Sequence, residues 1–354
     1  MPRTASPRPN LSMMARRLGV SVPTVWRAMR NAPGIHPETR ARALQLAAEL
    51  GYESPARADG VALKSRDHLV LALTHLMSSN PAQDFITGMN RASLSYNLNI
   101  LTHQVEAGAC SQLLDPSFQP KAMRSGLVDG LVLIHRWPAE VARHLAEKWP
   151  AVSIVHHYPG VPMEHVGIDD RQGMLALVEH LHAGGHRQIG FFGFCREMSW
   201  ACSRLSAWFE ALVLCDLPYE PRDVIPVEID LALAMNEFRV GEWEKKVLER
   251  VRKGTNAWVC SSSGTANTLC RFLLEKGFHL PADVAVAGYH RGKFNIWPDL
   301  PDITTTEVSD IDLGATAIRR LTNRIMHGNE PTRSILLPAA LHLGQTTRTT
   351  SKKA

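Results

Sequence analysis

The sequence predicts a small all-α head followed by a two-lobe α/β body. Three observations carry that prediction. Basic charge is concentrated at the N-terminus. Capping and breaking residues punctuate three short apolar stripes in the first 52 residues. From residue 69 onward, apolar runs of strand length alternate with segments of helix length.

The head comes first. Residues 1–9 are rich in Pro and Arg and read as a disordered tail, and residues 10–52 read as one domain. Leu11, Met14, Ala15 and Leu18 share one helical face. Gly19 takes the positive φ that ends such a helix. Ser21 is a good N-cap for the next, and Pro23 falls in its first turn, where a missing N–H costs nothing. Val25, Ala28 and Met29 form the second stripe, broken by the run Asn31–Gly34. Pro37 opens a third helix with Ala43, Leu44, Ala47 and Leu50 on one face. Two short helices joined by a tight Gly-containing turn are the signature of a helix-turn-helix, whose second helix enters the DNA major groove.

Charge points the same way. Residues 1–64 hold ten Lys/Arg against four acids, a net of +6 in a chain whose total is +5. A basic head on a near-neutral body suits a polyanion partner for the head alone. Residues 53–66, with Pro55, Gly60 and mixed charges, read as a hinge or linker, and 349–354 as a tail.

The body spans 67–348. Its strand-like runs are HLVLALTHL, NILTHQV, VDGLVLIH, AVSIVHH, HVGID, RQIGFFGF, NAWVCSS and DVAVAGY, with helices between several of them. Alternation of this kind builds parallel sheets from βαβ units, and near-continuous apolar runs mean strands covered on both faces. About 280 residues exceed one open sheet. We therefore expect a first lobe of about 67–168 and 304–330 and a second of about 169–303 and 331–348. A ligand cleft should lie between them at the strand C-termini.

Composition excludes several classes. Cys110, Cys195, Cys202, Cys215, Cys260 and Cys270 form no C-x-x-C pair, which fits a reducing compartment better than a disulfide framework. No stretch approaches the ~18 apolar residues needed to span a bilayer. The first ten residues lack a secretory h-region. A cytoplasmic location without membrane contact is expected. There is no G-x-S-x-G, P-loop or H-E-x-x-H. His180, His182 and His186 are not read as a metal site, because His180 and His182, two apart on a helix, point to different faces. No cofactor is expected.

The segment MARRLGVSVPTVWRAMRN resembles the helix-turn-helix of the LacI/GalR family of bacterial transcription regulators, with Ala15, Arg16, Gly19, Val20, Ser21, Thr24, Val25 and Arg27 matching. The closing Leu50-Gly51-Tyr52, Val128–Gly130, Gly185–Phe191, Arg204 onward, Leu280–Tyr289 and the run from Pro301 follow in the family's order, so the resemblance covers residues 10–348.

The resemblance implies a periplasmic-binding-protein-like sensor domain. It implies a homodimer on a pseudo-palindromic double-stranded operator, and a small-molecule effector, a sugar or sugar derivative, between the lobes. A solute receptor without a DNA role and an enzyme using the cleft are the alternatives; the basic head argues against the first and the absent catalytic motifs against the second. The implied DNA contacts are Arg16, Ser21, Val22, Pro23, Thr24, Trp26, Arg27 and Val61. Arg27 suits guanine O6 and N7, with a phosphate contact as the alternative. Val22 and Pro23 face bases, either reading a thymine methyl or excluding other residues. Trp26 replaces a small Ser. The hinge position that normally wedges a Leu into the minor groove falls at Val61 or Leu63, and the neighbouring Asp59 and Gly60 are poor helix residues.

The implied effector contacts are His156, His157, Arg204, Ser262, Ser263, His290 and Arg291. His290 stands where sugar-binding members often carry an Asp, and His156 and His157 where another commonly ends the fourth strand. Donors in place of carboxylates suit a ligand richer in acceptors or negative charge than a plain sugar.

Overall fold

The computed structural model describes residues 11–21, 24, 25, 28, 35–50, 68–75, 82–227, 242–290, 299–328 and 330–347. The chain divides into two units, residues 1–67 and 68–354.

In the first unit, α1 (Leu11–Leu18) ends at Gly19, whose φ of +66° is left-handed. The Val20 N–H then reaches back to the Ala15 carbonyl at 3.1 Å, the closing bond of a Schellman turn. The chain re-enters helix at once. The Ser21 hydroxyl accepts the Thr24 N–H at 3.3 Å, and the Val25 N–H bonds the Ser21 carbonyl at 3.1 Å. α2 (Pro37–Glu49) lies against α1. Met14, Ala15, Val25, Ala28, Ala43 and Ala47 are all buried, giving the head a small core.

The second unit has two sheets. The first runs β11-β5-β4-β3-β1-β2 and is parallel throughout. Its strands are β1 (His68–His75), β2 (Leu98–Val105), β3 (Gly130–Leu133), β4 (Ala151–Ile154), β5 (Glu164–Ile168) and β11 (Ser334–Leu337). β1, β3, β4 and β5 are almost wholly buried, as strands covered on both faces must be. α3 (Ala82–Ser93), α4 (Lys121–Arg124), α5 (Ala139–Lys148) and the late helix α10 (Asp310–Met326) belong to this lobe.

The second sheet, β7-β6-β8-β9, is also parallel. It comprises β6 (Ile189–Phe194), β7 (Val224–Pro226), β8 (Ala257–Cys260) and β9 (Ala285–Ala287). The helices of this lobe are α6 (Asp170–Ala183), α7 (Ser199–Leu214), α8 (Trp243–Arg252) and α9 (Ser263–Glu275).

The chain returns at β10 (Thr305–Glu307), and α10 (Asp310–Met326) packs on α3, β3, β4 and β5. The α3/α10 crossing is backbone on backbone. A Cβ at Gly88 would collide with the Ile311 carbonyl, and one at Gly314 with that of Phe85. Arg320 fixes the same helix by gripping the buried Glu164 of β5 at 3.0 Å.

One boundary differs from the sequence expectation. The expected bounds put the whole run Ile335–Leu341 in the second lobe, with the chain crossing near 333. Instead Ser334–Leu337 pairs with His165–Ile168 as the edge strand of the first sheet. The chain crosses only after Pro338, so β12 (Ala340–His342) pairs antiparallel with β10 and Thr346 bonds the Val286 backbone of β9. A continuous apolar run does not say which of two sheets it joins. The proline, which cannot donate to a ladder, was the available signal for the break.

Candidate DNA-contacting head and effector cleft

In the head, the Gly19 turn and the Ser21 cap set the start of the second helix against α1. Ser21 Oγ also lies 2.8 Å from Thr24 Oγ1, so both hydroxyls gather at that helix N-terminus. Arg16 and Arg17 are exposed in the last turn of α1. Val22, Pro23, Trp26, Arg27 and Val61 lie outside the described residues, as does Arg291 in the body.

In the body, the C-terminal ends of both sheets carry the polar side chains. β1 ends in Thr74 and His75, and β3 is followed by His135 and Arg136. After β4 come Val155, His156 and His157, and after β5 Asp169 and Asp170. In the second lobe β8 leads to Ser261–Ser263 and β9 to Tyr289 and His290. Three of these strand ends turn through left-handed backbone at non-glycine residues: His135 (φ +68°), Val155 (+65°) and His290 (+57°). Such conformations cost of order 1–3 kcal/mol each and cluster at ligand sites.

Several implied effector residues are engaged inside the protein. Arg204 on α7 is 3% exposed. Its Nε donates to Asp170 at 3.1 Å and its Nη1 to the Ser261 carbonyl at 2.7 Å. Its guanidinium lies between the rings of Trp200 (4.8 Å) and Tyr289 (4.3 Å). Burial raises the Tyr289 phenol, and neighbouring Asp170 adds to the shift. His290 Nε2 is 2.8 Å from Asp310 at the start of α10, so the second lobe holds the first lobe's helix there. Ser262 caps α9 through a reciprocal box with Thr265, and Ser263 is that helix's first residue. His157 bridges the lobes, its backbone N–H donating to Ser199 Oγ at 3.1 Å.

His156 is different. It is 7% exposed and its Nδ1 is buried without a hydrogen-bond partner. It stands near Arg136 and His165, which sequence reading missed together with the neighbouring pair His75 and His135. His75 stacks on Trp137 at 4.3 Å and lies 6.0 Å from His135, while His157 and His165 are 4.9 Å apart. Burial pulls His135, His156 and His165 down to about 4. Next to burial, His75 contributes at His135, and Arg136 with the neighbouring histidines at His156. The missed signal was in plain view, because apolar runs that become β1, β3 and β4 each end on histidine.

His180 bonds Thr347 Oγ1 at 2.8 Å and His186 bonds Asn256 Oδ1 at 2.9 Å, both structural. Among the described residues no group of three or more His, Cys, Asp or Glu is placed to hold a metal, and no helix is long and apolar enough to cross a membrane.

A basic helix-turn-helix joined to a two-lobe α/β domain defines a class of ligand-responsive DNA-binding protein. Residues 11–54 match the family described as bacterial regulatory proteins, lacI family, and residues 178–347 match the periplasmic binding protein-like domain. The head thus carries a lacI-family domain and the body a periplasmic-binding-protein-like one, the pairing expected from the sequence. It is 27% identical over 337 residues to an HTH-type transcriptional regulator encoded in the aml 5′ region of Streptomyces limosus, covering 92% of this chain and 91% of that one. It is 23% identical over 343 residues to catabolite control protein A of Priestia megaterium, covering 95% and 98%. These relatives are named as regulators, not as enzymes. Among solved structures, the lac repressor dimer bound to operator and an anti-inducer shares the fold with a TM-score of 0.62 at 20% identity, covering 97% of this chain and 100% of that one. A complex of the regulator CelR with cellobiose does so at 0.61 and 22%, covering 96% and 100%.

Proposed function

We propose that this protein is a cytoplasmic transcription repressor acting as a homodimer on a pseudo-palindromic operator. A small molecule, a sugar or sugar derivative, binds between the lobes and controls its DNA affinity. The observation that carries the reading is the Gly19–Ser21 junction. It starts a second helix on a buried Val25/Ala28 face within a segment of net charge +6. The relatives' names, operator and cellobiose complexes among them, support the same assignment.

The test is the salt dependence of operator binding. Neutralising Z phosphates gives a log–log slope near −0.9Z, so about three to five contacts per head predict a slope of roughly −5 to −9 for the dimer. A slope shallower than about −2 contradicts dimeric DNA binding. Arg27→Ala should weaken binding by roughly 1–3 kcal/mol and relax preference at one base pair per half-site. Uniform weakening on every sequence would make Arg27 a phosphate anchor.

A further inference from the structure

Among the described residues, the first-lobe wall of the cleft holds ring nitrogens and a guanidinium that have no hydrogen-bond partner. His135 Nδ1 lies 3.4 Å from the His75 N–H, which donates to it, and 3.0 Å from Thr74 Oγ1. Nδ1 is therefore the acceptor, so the ring proton sits on Nε2, which is buried and has no partner. His156, one strand over, is more than nine-tenths buried with an unpartnered Nδ1. Arg136, which follows His135 at the end of β3, is half-buried. Its carbonyl accepts from His75 Nε2 at 2.6 Å, but its guanidinium makes no hydrogen bond or ion pair among the described residues. β3 and β4 are hydrogen-bonded neighbours, so these three side chains leave adjacent strand ends, two of them turned by left-handed backbone at His135 and Val155.

We propose that the effector is an anion, a small polar molecule whose carboxylate or phosphate is received by Arg136 with His135 and His156 beside it. The inference rests on the effector-cleft reading above. Its weight comes from the inventory of groups around the three residues. From the first lobe these are His75, His157, Tyr158 and His165; from the second, Asp169, Asp170, Glu197 and Arg204. Each of these acceptors already holds one partner. Asp170 holds Arg204, Asp169 caps α6 by accepting the Gln172 N–H, and Tyr158 accepts the Trp137 N–H at 2.7 Å. Glu197 is exposed and accepts the Cys195 thiol. A neutral sugar's hydroxyls both donate and accept, but they bring no charge to balance a cation. What remains open on this wall is one cation and uncommitted imidazoles, which an anion satisfies.

Proton linkage follows. Burial keeps both imidazoles neutral at pH 7, and a bound anion favours their charged forms. Anion binding therefore takes up protons, and affinity rises as pH falls by up to about tenfold per unit for each proton.

The experiment is calorimetric titration of the full chain at pH 7.5 and 6.0. The probes are D-glucuronate, D-glucose 6-phosphate and citrate, set against D-glucose and D-galactose. The carboxylate and phosphate arms separate the two anion sources. The expected result is binding of at least one anion, at least 30-fold weaker binding of the neutral sugars, and tighter anion binding at pH 6.0. Arg136→Gln should weaken the anion at least 30-fold and Arg136→Lys much less, with His156→Gln as second variant if Arg136→Gln does not fold. A neutral sugar that binds as tightly as the anions, or an Arg136→Gln protein that keeps the anion, overturns the proposal and leaves the effector cleft standing. Failure of every probe to bind counts against both.

Discussion

Lowering the pH from 7.5 to 5.5 should destabilise the sensor domain by several kcal/mol, before ordinary carboxylates begin to titrate. His135, His156 and His165 are held at about 4 in the folded protein, chiefly by burial. In the unfolded chain they return to roughly 6.5. Between those values the unfolded chain binds protons that the folded one refuses, so stability is lost as pH falls through the unfolded pKa and levels off below the folded one. Each contributes a loss of about 1.4 kcal/mol at pH 5.5, and the three together about 4 kcal/mol. His75 and His180, also lowered by burial, act in the same direction. In a domain of this size that corresponds to a fall in Tm of about 10 °C, since each kcal/mol moves Tm by about 2–4 °C. Thermal unfolding across this range checks it, and His165→Gln should flatten the profile by about a third. A Tm constant between pH 7.5 and 5.5 would show that these rings are solvated.

The second large effect concerns Arg204. Removing it leaves Asp170 buried beside Tyr289 without its cation, and breaking a buried pair costs about 3–5 kcal/mol. Arg204→Ala should lower the Tm of the ligand-free protein by about 10 °C. Asp170→Ala should do the same, because the guanidinium would then face Trp200 and Tyr289 with only the Ser261 carbonyl. The double variant Arg204→Met with Asp170→Leu should recover most of the loss, since well-packed apolar replacement of a buried pair is often neutral or better. A ligand-free Tm unchanged in Arg204→Ala would return Arg204 to a role in effector contact alone.

These two cases mark what the chain makes legible. The head was readable because helix starts and stops are local chemistry: Gly19 turns, Ser21 caps, and Met14, Val25 and Ala47 meet in one small core. The alternation of strands and helices announced two parallel sheets, since each strand's apolar run records its burial on both faces. Lobe assignment of the last strand was not legible, because pairing with His165–Ile168 depends on partners some 170 residues away. The cleft was legible only by position. Comparison with the family singled out Arg204 and His290, yet their partners, Asp170 and Asp310, are brought to them by tertiary structure. The same comparison passed over His75, His135 and Arg136, which no motif marks and which only the adjacency of β1, β3 and β4 brings together.

Everything proposed for this chain requires it to bind a specific operator as a symmetric dimer. Selection of the 354-residue chain on random duplexes, with residues 68–354 as the control, decides this. The prediction is enrichment of an inverted repeat whose half-sites are centred about one helical turn, roughly 10 bp, or a multiple apart, with nothing retained by the control. Enrichment of no motif, or of an asymmetric one bound equally by the control, would contradict it.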